Sequence, residues 1–245
     1  MLCNGLTTMD SRGNVEMRLA IETLYAGALA SLGPQGVPSG IRKRALPGPW
    51  QVTRTGLVGD RQGDTRHHGG PEKALHHYAR DHYAAWREED RALCDLLASP
   101  PAFGENISTV GATEEDVCLG DTYALGEVLL QVSQARQPCW RLNLRFERGD
   151  MALRVQTSGR TGWYYRVLRE GWIATGSELV LVERPRPEWP LARVLDLLYR
   201  HPLERAALAE LAEVPELTPS WRGLATRRLK TGKVESWDER LYGKS

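Results

Sequence analysis

In the stretch SQARQPCWRLN, residues 133–143, a cysteine follows a proline and stands between two arginines, just where a strand-like run ends. If Cys139 opens a helical turn, the helix N-terminus, Arg136 and Arg141 all favour its thiolate over a thiol that titrates near about 8.5 when unperturbed. A thiolate is both a nucleophile and a ligand for soft metals. The other reading is an inert packing cysteine, and the spacing leaves the two evenly balanced. The element is open too: Leu142 and Phe146 suit a helix, whereas Trp140, Leu142, Leu144 and Phe146 alternate as in a strand, and we favour the helical turn.

The densest polar stretch is GLVGDRQGDTRHHGGPEKALHHY, which holds Asp60, Arg61, Asp64, Arg66, His67, His68, Lys73, His76, His77 and Tyr78. Its glycines, at 56, 59, 63, 69 and 70, let a backbone approach a ligand closely, and successive amides can form an anion-binding nest aided by Arg and Lys. An anionic ligand is the natural guest. There is no G-K-[ST] of a Walker A loop and no G-x-G-x-x-G after a strand. Five histidines between 67 and 82 raise a zinc site, yet H-E-x-x-H and a companion cysteine pair are absent. A zinc deaminase needs P-C-x-x-C, and Leu142 stands where its second cysteine belongs. A serine hydrolase finds no G-x-S-x-G.

The elements that must position these residues are mostly short strands broken by Gly, Pro and Asp turns, from about residue 17 to 184. Many short strands with little helix between them indicate a mainly β fold, an antiparallel closed barrel or sandwich. One helix, residues 79–98, interrupts them with Tyr83, Trp86, Leu93, Leu96 and Leu97 at helical spacing before SPP ends it. After the linker ERPRPEWP the pattern changes to three short amphipathic helices at 190–199, 202–212 and 219–230. The units expected are therefore a flexible N-terminus (1–16), a barrel domain (17–184) and a C-terminal three-helix domain with tail (185–245).

With 32 Lys+Arg against 31 Asp+Glu and a net charge of +1, nothing demands nucleic acid or a membrane surface. The basic run WRGLATRRLKTGK reads as a solvated or docking face. No apolar run approaches the roughly 20 residues that span a bilayer, and the N-terminus lacks a signal-peptide core, so a cytoplasmic protein is expected. The four cysteines are scattered with no C-x-x-C, which argues against a disulfide framework, a zinc knuckle or an iron-sulfur cluster built by this chain alone. Cys94 and Cys118 read as core residues, and Cys3 lies in the terminus.

Taken in order, SGIRKRAL, GLVGDRQGDTRHHGGPEKALHHY, PAFGENIST, LGD, VSQARQPCWRLN and SGRTGWYYRVLREG resemble the MOSC domain family, named for the C-terminal domain of molybdenum cofactor sulfurase. The order and length are similar to its YiiM-type (N-hydroxylaminopurine resistance protein-like) members, which carry a small three-helix domain. The resemblance covers residues 39–183 and the helices beyond. It implies a MOSC-type closed β-barrel whose cleft binds molybdenum cofactor (molybdopterin), with Cys139 as the metal ligand. It implies reduction of N-hydroxylated compounds, including hydroxylaminopurine-type base analogues, to amines, a detoxification of N-hydroxylated bases. Pyridoxal phosphate is not implied.

Carried over by position, the resemblance gives His68, Gly69 and Gly70 from HGG, Asn106 from GEN, and Ser133, Gln134, Arg136 and Cys139 from SQARQPC, with Lys43 and Lys73 at basic positions. Ala135 departs from the family's S-Q-P-R. For the proton source, His68 or Tyr78 is the candidate. With no ferredoxin-type cysteines and no nucleotide fingerprint, the chain needs a separate electron-donating reductase. A homodimer stays open. Two other readings stand beside the reductase: a molybdenum cofactor carrier, and sulfur transfer through a Cys139 persulfide.

Overall fold

The computed structural model describes residues 6–9, 15–63 and 69–243. His67, His68 and Cys3 lie outside the described residues. The first half contains β1 (Leu6–Met9), β2 (Val15–Ala20), β3 (Leu24–Ala26), β4 (Ala30–Leu32), β5 (Val37–Ser39), β6 (Arg44–Leu46), β7 (Trp50–Thr53) and β8 (Gly56–Leu57). Then follow β9 (Leu75–Ala79), α1 (His82–Glu89), β10 (Ile107–Thr109), β11 (Thr122–Leu125) and β12 (Val128–Ala135). Beyond Cys139 come α2 (Arg141–Phe146), α3 (Met151–Ser158), β13 (Trp163–Arg169), β14 (Gly171–Ile173) and β15 (Glu178–Glu183). The C-terminal part is helical: α4 (Leu191–Tyr199), α5 (Arg205–Ala212), α6 (Pro219–Thr231) and α7 (Asp238–Tyr242).

Eight strands form one sheet in the order β1-β2-β15-β11-β12-β13-β9-β10, which curls into a nearly closed barrel. Its neighbours are antiparallel except β9 and β10. On the open side the Tyr25 amide of β3 donates to the Asn106 carbonyl beside β10, at 2.9 Å. The period-2 pattern is the cause of the curl's filled interior: along β13 Trp163, Tyr165 and Val167 point inward while Tyr164 and Arg166 alternate to the other face. Within the segment read as a flexible N-terminus, the described residues of β1 pair with β2, Leu6 opposite Arg18.

The helices share the barrel's core. Trp189, Leu191, Leu195, Leu198, Leu208, Leu211 and Trp221 belong to the same apolar cluster as Tyr123, Leu130, Val132, Trp163 and Tyr165. A second cluster, with Tyr78, Trp86, Phe103, Leu142, Phe146, Met151 and Leu241, lies under α1, α2 and α3. Among the described residues no helix is long and apolar enough to cross a membrane.

Three local expectations are corrected. The helix over 79–98 stops at Glu89, because Asp90 turns extended (φ −145°, ψ 94°) and its carboxylate takes a bond from the Ala92 amide and ion pairs from Arg148 at 2.9 Å and Arg154 at 3.3 Å. Those tethers to the α2–α3 region outweigh continued helix. Cys94, beyond the break, is therefore exposed, not core, while Cys118 is buried. The barrel is also interrupted by α2 and α3, not by one helix alone.

A core continuous across barrel and helices makes the chain unfold as one unit. Leu211→Ala, in α5, should cost about 2–5 kcal/mol and lower one shared urea transition seen alike by tryptophan fluorescence and circular dichroism; a separate early transition of the helices would contradict this.

Candidate functional site

β12 delivers the cysteine segment. Ala135 is paired with Trp163 of β13, and the Arg136 amide donates to the Gly162 carbonyl at 2.9 Å as the ladder's last bond. Ala135 is thus the last residue of the strand. Past Pro138 the helical alternative wins: the Leu142 amide donates to the Cys139 carbonyl at 2.9 Å and α2 runs from Arg141, with Trp140 as its N-cap. The helix proper begins two residues after the cysteine.

Cys139 is 8% exposed and lines an open-mouthed cavity. Lys43, Gly69, Lys73, Asn106 and Arg136, five of the positions implied by resemblance, line it too. Arg61 and Arg141 add cationic groups, and Ile41, Phe103 and Tyr164 add apolar wall. Arg136 is aimed by a bond from Nη1 to the Phe103 carbonyl at 2.8 Å. Lys73 closes a short 3-10 turn, Pro71–Lys73, that follows Gly70.

One buried carboxylate organises the wall. Asp60 accepts from the Gly27 amide at 2.8 Å, from Gln62 Nε2 at 3.1 Å, from Asn106 Nδ2 at 3.0 Å and from the Lys43 ammonium. Lys43 and Asp60 side chains are 6% and 2% exposed, and burial pushes the lysine down against the pull of Asp60. Lys43 therefore lines the cavity with its charge already matched. Asn106 spans strands as well, its Oδ1 accepting from the His76 amide at 3.0 Å and its Nδ2 donating to the Tyr25 carbonyl at 3.0 Å. The backbone itself closes the rest: a Cβ on Gly40 would stand 1.8 Å from the Arg61 carbonyl oxygen, and one on Gly63 2.0 Å from that of Pro38.

The paired histidines of β9 part company, as alternation requires. His77 faces the core, its ring nitrogens 3.0 Å from Tyr165 Oη and 2.8 Å from Thr109 Oγ1, and burial pushes its pKa down to about 3. His76 lines the cavity, with Nε2 buried and without a partner among the described residues. Burial, then the Arg136 charge, hold it well below the ordinary histidine range, so it is a neutral imidazole among cations.

Other implied residues are not brought to the cavity. Ser133 Oγ donates to the Glu72 carbonyl at 2.6 Å, and Gln134 Oε1 accepts from Thr218 at 2.9 Å, so both brace the frame. Gly70 supplies a positive φ of 81° ahead of the 3-10 turn without lining the wall. Tyr78 is corrected as a proton source: it is fully buried, stacked 4.0 Å on Phe103, its hydroxyl taking a bond from Trp86 Nε1 at 2.6 Å and giving one to the Arg160 carbonyl at 3.2 Å. His68 lies outside the described residues. Sequence reasoning passed over Asp60 and His76; both stand in the dense polar stretch, but their roles depend on contacts far along the chain.

The donor set fits a phosphate-bearing metal cofactor. Among the described residues no group of three or more His, Cys, Asp or Glu side chains could hold a metal ion. A metal here would take one protein ligand, Cys139, and the remainder from its own cofactor. The cationic Lys73, Arg61 and Arg136 and the unpartnered His76 nitrogen suit an anionic, hydrogen-bonding guest.

Residues 64–180 match the model of the MOSC domain, and residues 189–232 that of the YiiM-like, 3-alpha helix domain. Protein YiiM of Escherichia coli K12 is 37% identical over 93% of this chain and 100% of its own. Its crystal structure superimposes with a TM-score of 0.79 at 32% identity, covering 93% of this chain and 100% of that one. A protein of Gibberella moniliformis named Reductase is 38% identical over 80% of this chain, which matches 34% of that longer protein.

Two outcomes follow from the buried charges. Asp60→Ala strands the Lys43 ammonium and should cost about 3–5 kcal/mol, read as a lower urea midpoint; adding Lys43→Met should recover much of it. For pH, an unfolded histidine titrates near about 6.5, so below that the unfolded chain binds protons that His76 and His77 refuse. Stability from this source is complete above pH 6.5 and falls with pH toward about 3 for His77. Burial raises Glu105 and Asp121, which slope the opposite way, so the comparison is between proteins. The loss of stability between pH 7 and 4.5 should be smaller in His77→Gln than in wild type, measured by urea denaturation at both pH values.

Proposed function

The chain belongs to the MOSC domain family, in its YiiM-like form with a three-helix domain, and from this we propose a molybdenum-cofactor-dependent reductase that converts N-hydroxylated compounds, hydroxylaminopurine-type base analogues among them, to amines. The observation that carries the reading is the meeting of one thiol, Cys139, with Lys73, Arg136 and a neutral His76 in one cavity. When bound, the cofactor supplies a metal with redox states two electrons apart that can accept oxygen from an N-hydroxyl group.

The rest falls to the chain. Cys139 as thiolate is the soft protein ligand. Lys73, Arg61 and Arg136 hold the anionic tail, with Arg136 kept in place by the Phe103 carbonyl. Ile41, Phe103 and Tyr164 exclude water on the apolar side, which strengthens every polar contact within. His76 carries one ring proton and can give or take a hydrogen bond, and it replaces Tyr78 as the titratable group placed at the wall. Electrons come from a separate reductase, since the chain has neither ferredoxin-type cysteines nor a nucleotide fingerprint. The name of the fungal relative supports the reaction class.

Purified protein should carry molybdenum and a fluorescent pterin and, with an artificial reductant, convert hydroxylaminopurine to adenine, while Cys139→Ala abolishes turnover. Full turnover in Cys139→Ala overturns the proposal. Cofactor bound without turnover selects the carrier reading, and a Cys139 persulfide after incubation with a sulfur donor, seen by mass spectrometry, selects sulfur transfer.

A further inference from the structure

Between the end of the β12 ladder at Arg136 and the first turn of α2, the chain around Cys139 has neither a strand nor a helix to fix it. Tertiary bonds must do so, and several come from the C-terminal region. Arg240 of α7 donates from Nη1 to the Pro138 carbonyl at 2.6 Å, and its own carbonyl accepts the Trp140 amide at 2.8 Å. The residues on both sides of Cys139 are thus tied to one residue about a hundred positions away. The Leu241 carbonyl accepts from Asn143 Nδ2 at 2.8 Å, and Gly243 passes over Trp140, a Cβ on it meeting the indole at 3.4 Å. Two residues before Arg136, the N-cap Thr218 of α6 donates from Oγ1 to Gln134 Oε1 at 2.9 Å.

The strap is itself anchored. Leu241 is 3% exposed in the cluster that holds Leu142 and Phe146, and Arg240 Nη2 donates to the buried Gln156 of α3. A guanidinium can serve Pro138 and Gln156 at once because its donors form a planar fork. The structure assigns to residues 238–243 the role of a strap that positions the Cys139 sulfur in the cavity, with Arg240 as its positioning residue. The functional value of that position rests on Cys139 acting as proposed above; the strap's existence does not.

The test reads thiol reactivity in the folded chain. Under native conditions wild type, Arg240→Ala and Arg240→Lys are alkylated with iodoacetamide, and peptides carrying Cys139, exposed Cys94 and buried Cys118 are followed by mass spectrometry. Losing a hydrogen bond to a charged donor should speed Cys139 labelling by about tenfold in Arg240→Ala, with Arg240→Lys between, and leave Cys94 and Cys118 unchanged. An unchanged or lower Cys139 rate with Cys118 still protected overturns the assignment. Should Arg240→Ala open the whole fold, seen as rapid Cys118 labelling, Arg240→Lys decides by amide exchange: faster exchange over 138–143 than over β13 supports the strap, and equal exchange overturns it. Altered labelling in a protein that never reduces substrate would sink the reductase reading and leave the strap standing.

Discussion

The site depends on one buried carboxylate. Asp60 is almost wholly removed from water, and it gathers donors from three distant segments, at Gly27, Lys43 and Asn106, and from Gln62 of its own loop. An unmatched charge in that position would be expensive, so the loop carrying Asp60 can settle only where those donors converge. This fixes the 39–43 and 60–63 segments against each other and brings Asn106, with β9 behind it, to the same wall. The arrangement also sorts the local cations: Lys43 is matched by Asp60 within the wall, while Lys73, Arg61, Arg136 and Arg141 line the cavity around it.

The second contribution is the pleat of β9. Two adjacent histidines meet opposite surroundings, one hydrogen-bonded on both ring nitrogens in the barrel core and the other facing the cavity beside Arg136. Both are kept neutral chiefly by burial, and the cavity-facing one also by its cationic neighbour. The barrel thus sets protonation through geometry: the strand decides which ring sees solvent-facing charge, and desolvation decides that neither carries a proton beyond its neutral form.

Much of this was legible in the amino-acid order. Short strand-like runs broken by Gly, Pro and Asp turns announced the barrel, the change of pattern after the linker ERPRPEWP announced the helices, and the arginines flanking Cys139 marked it as a candidate thiolate. What escaped has a common cause, dependence on partners distant in sequence. Helical spacing continues past Asp90, and only the arginines of α2–α3 reveal why the helix stops there. Tyr78 stands in the polar stretch, yet stacking on Phe103 removes it from the cavity. Lys43 reads as a basic ligand-binding position until Asp60 is seen beside it. Nothing near Arg240 in sequence hints at Pro138.

The contacts at Gly40 and Gly63 bear on how such a protein can change. There main chain lies directly on main chain, with no volume left for even one methyl group. Any side chain at these two places would pry the wall apart, so variation there is closed, whatever chemistry it might offer. A change in what the cavity accepts must instead be drawn from Ile41 and Tyr164, which are only partly buried at the wall, since Phe103 is itself a core residue stacked on Tyr78. A library that randomises those two and leaves the glycines and Phe103 alone would sample new pockets on an undisturbed frame, and the evolvable part of the cavity is correspondingly small.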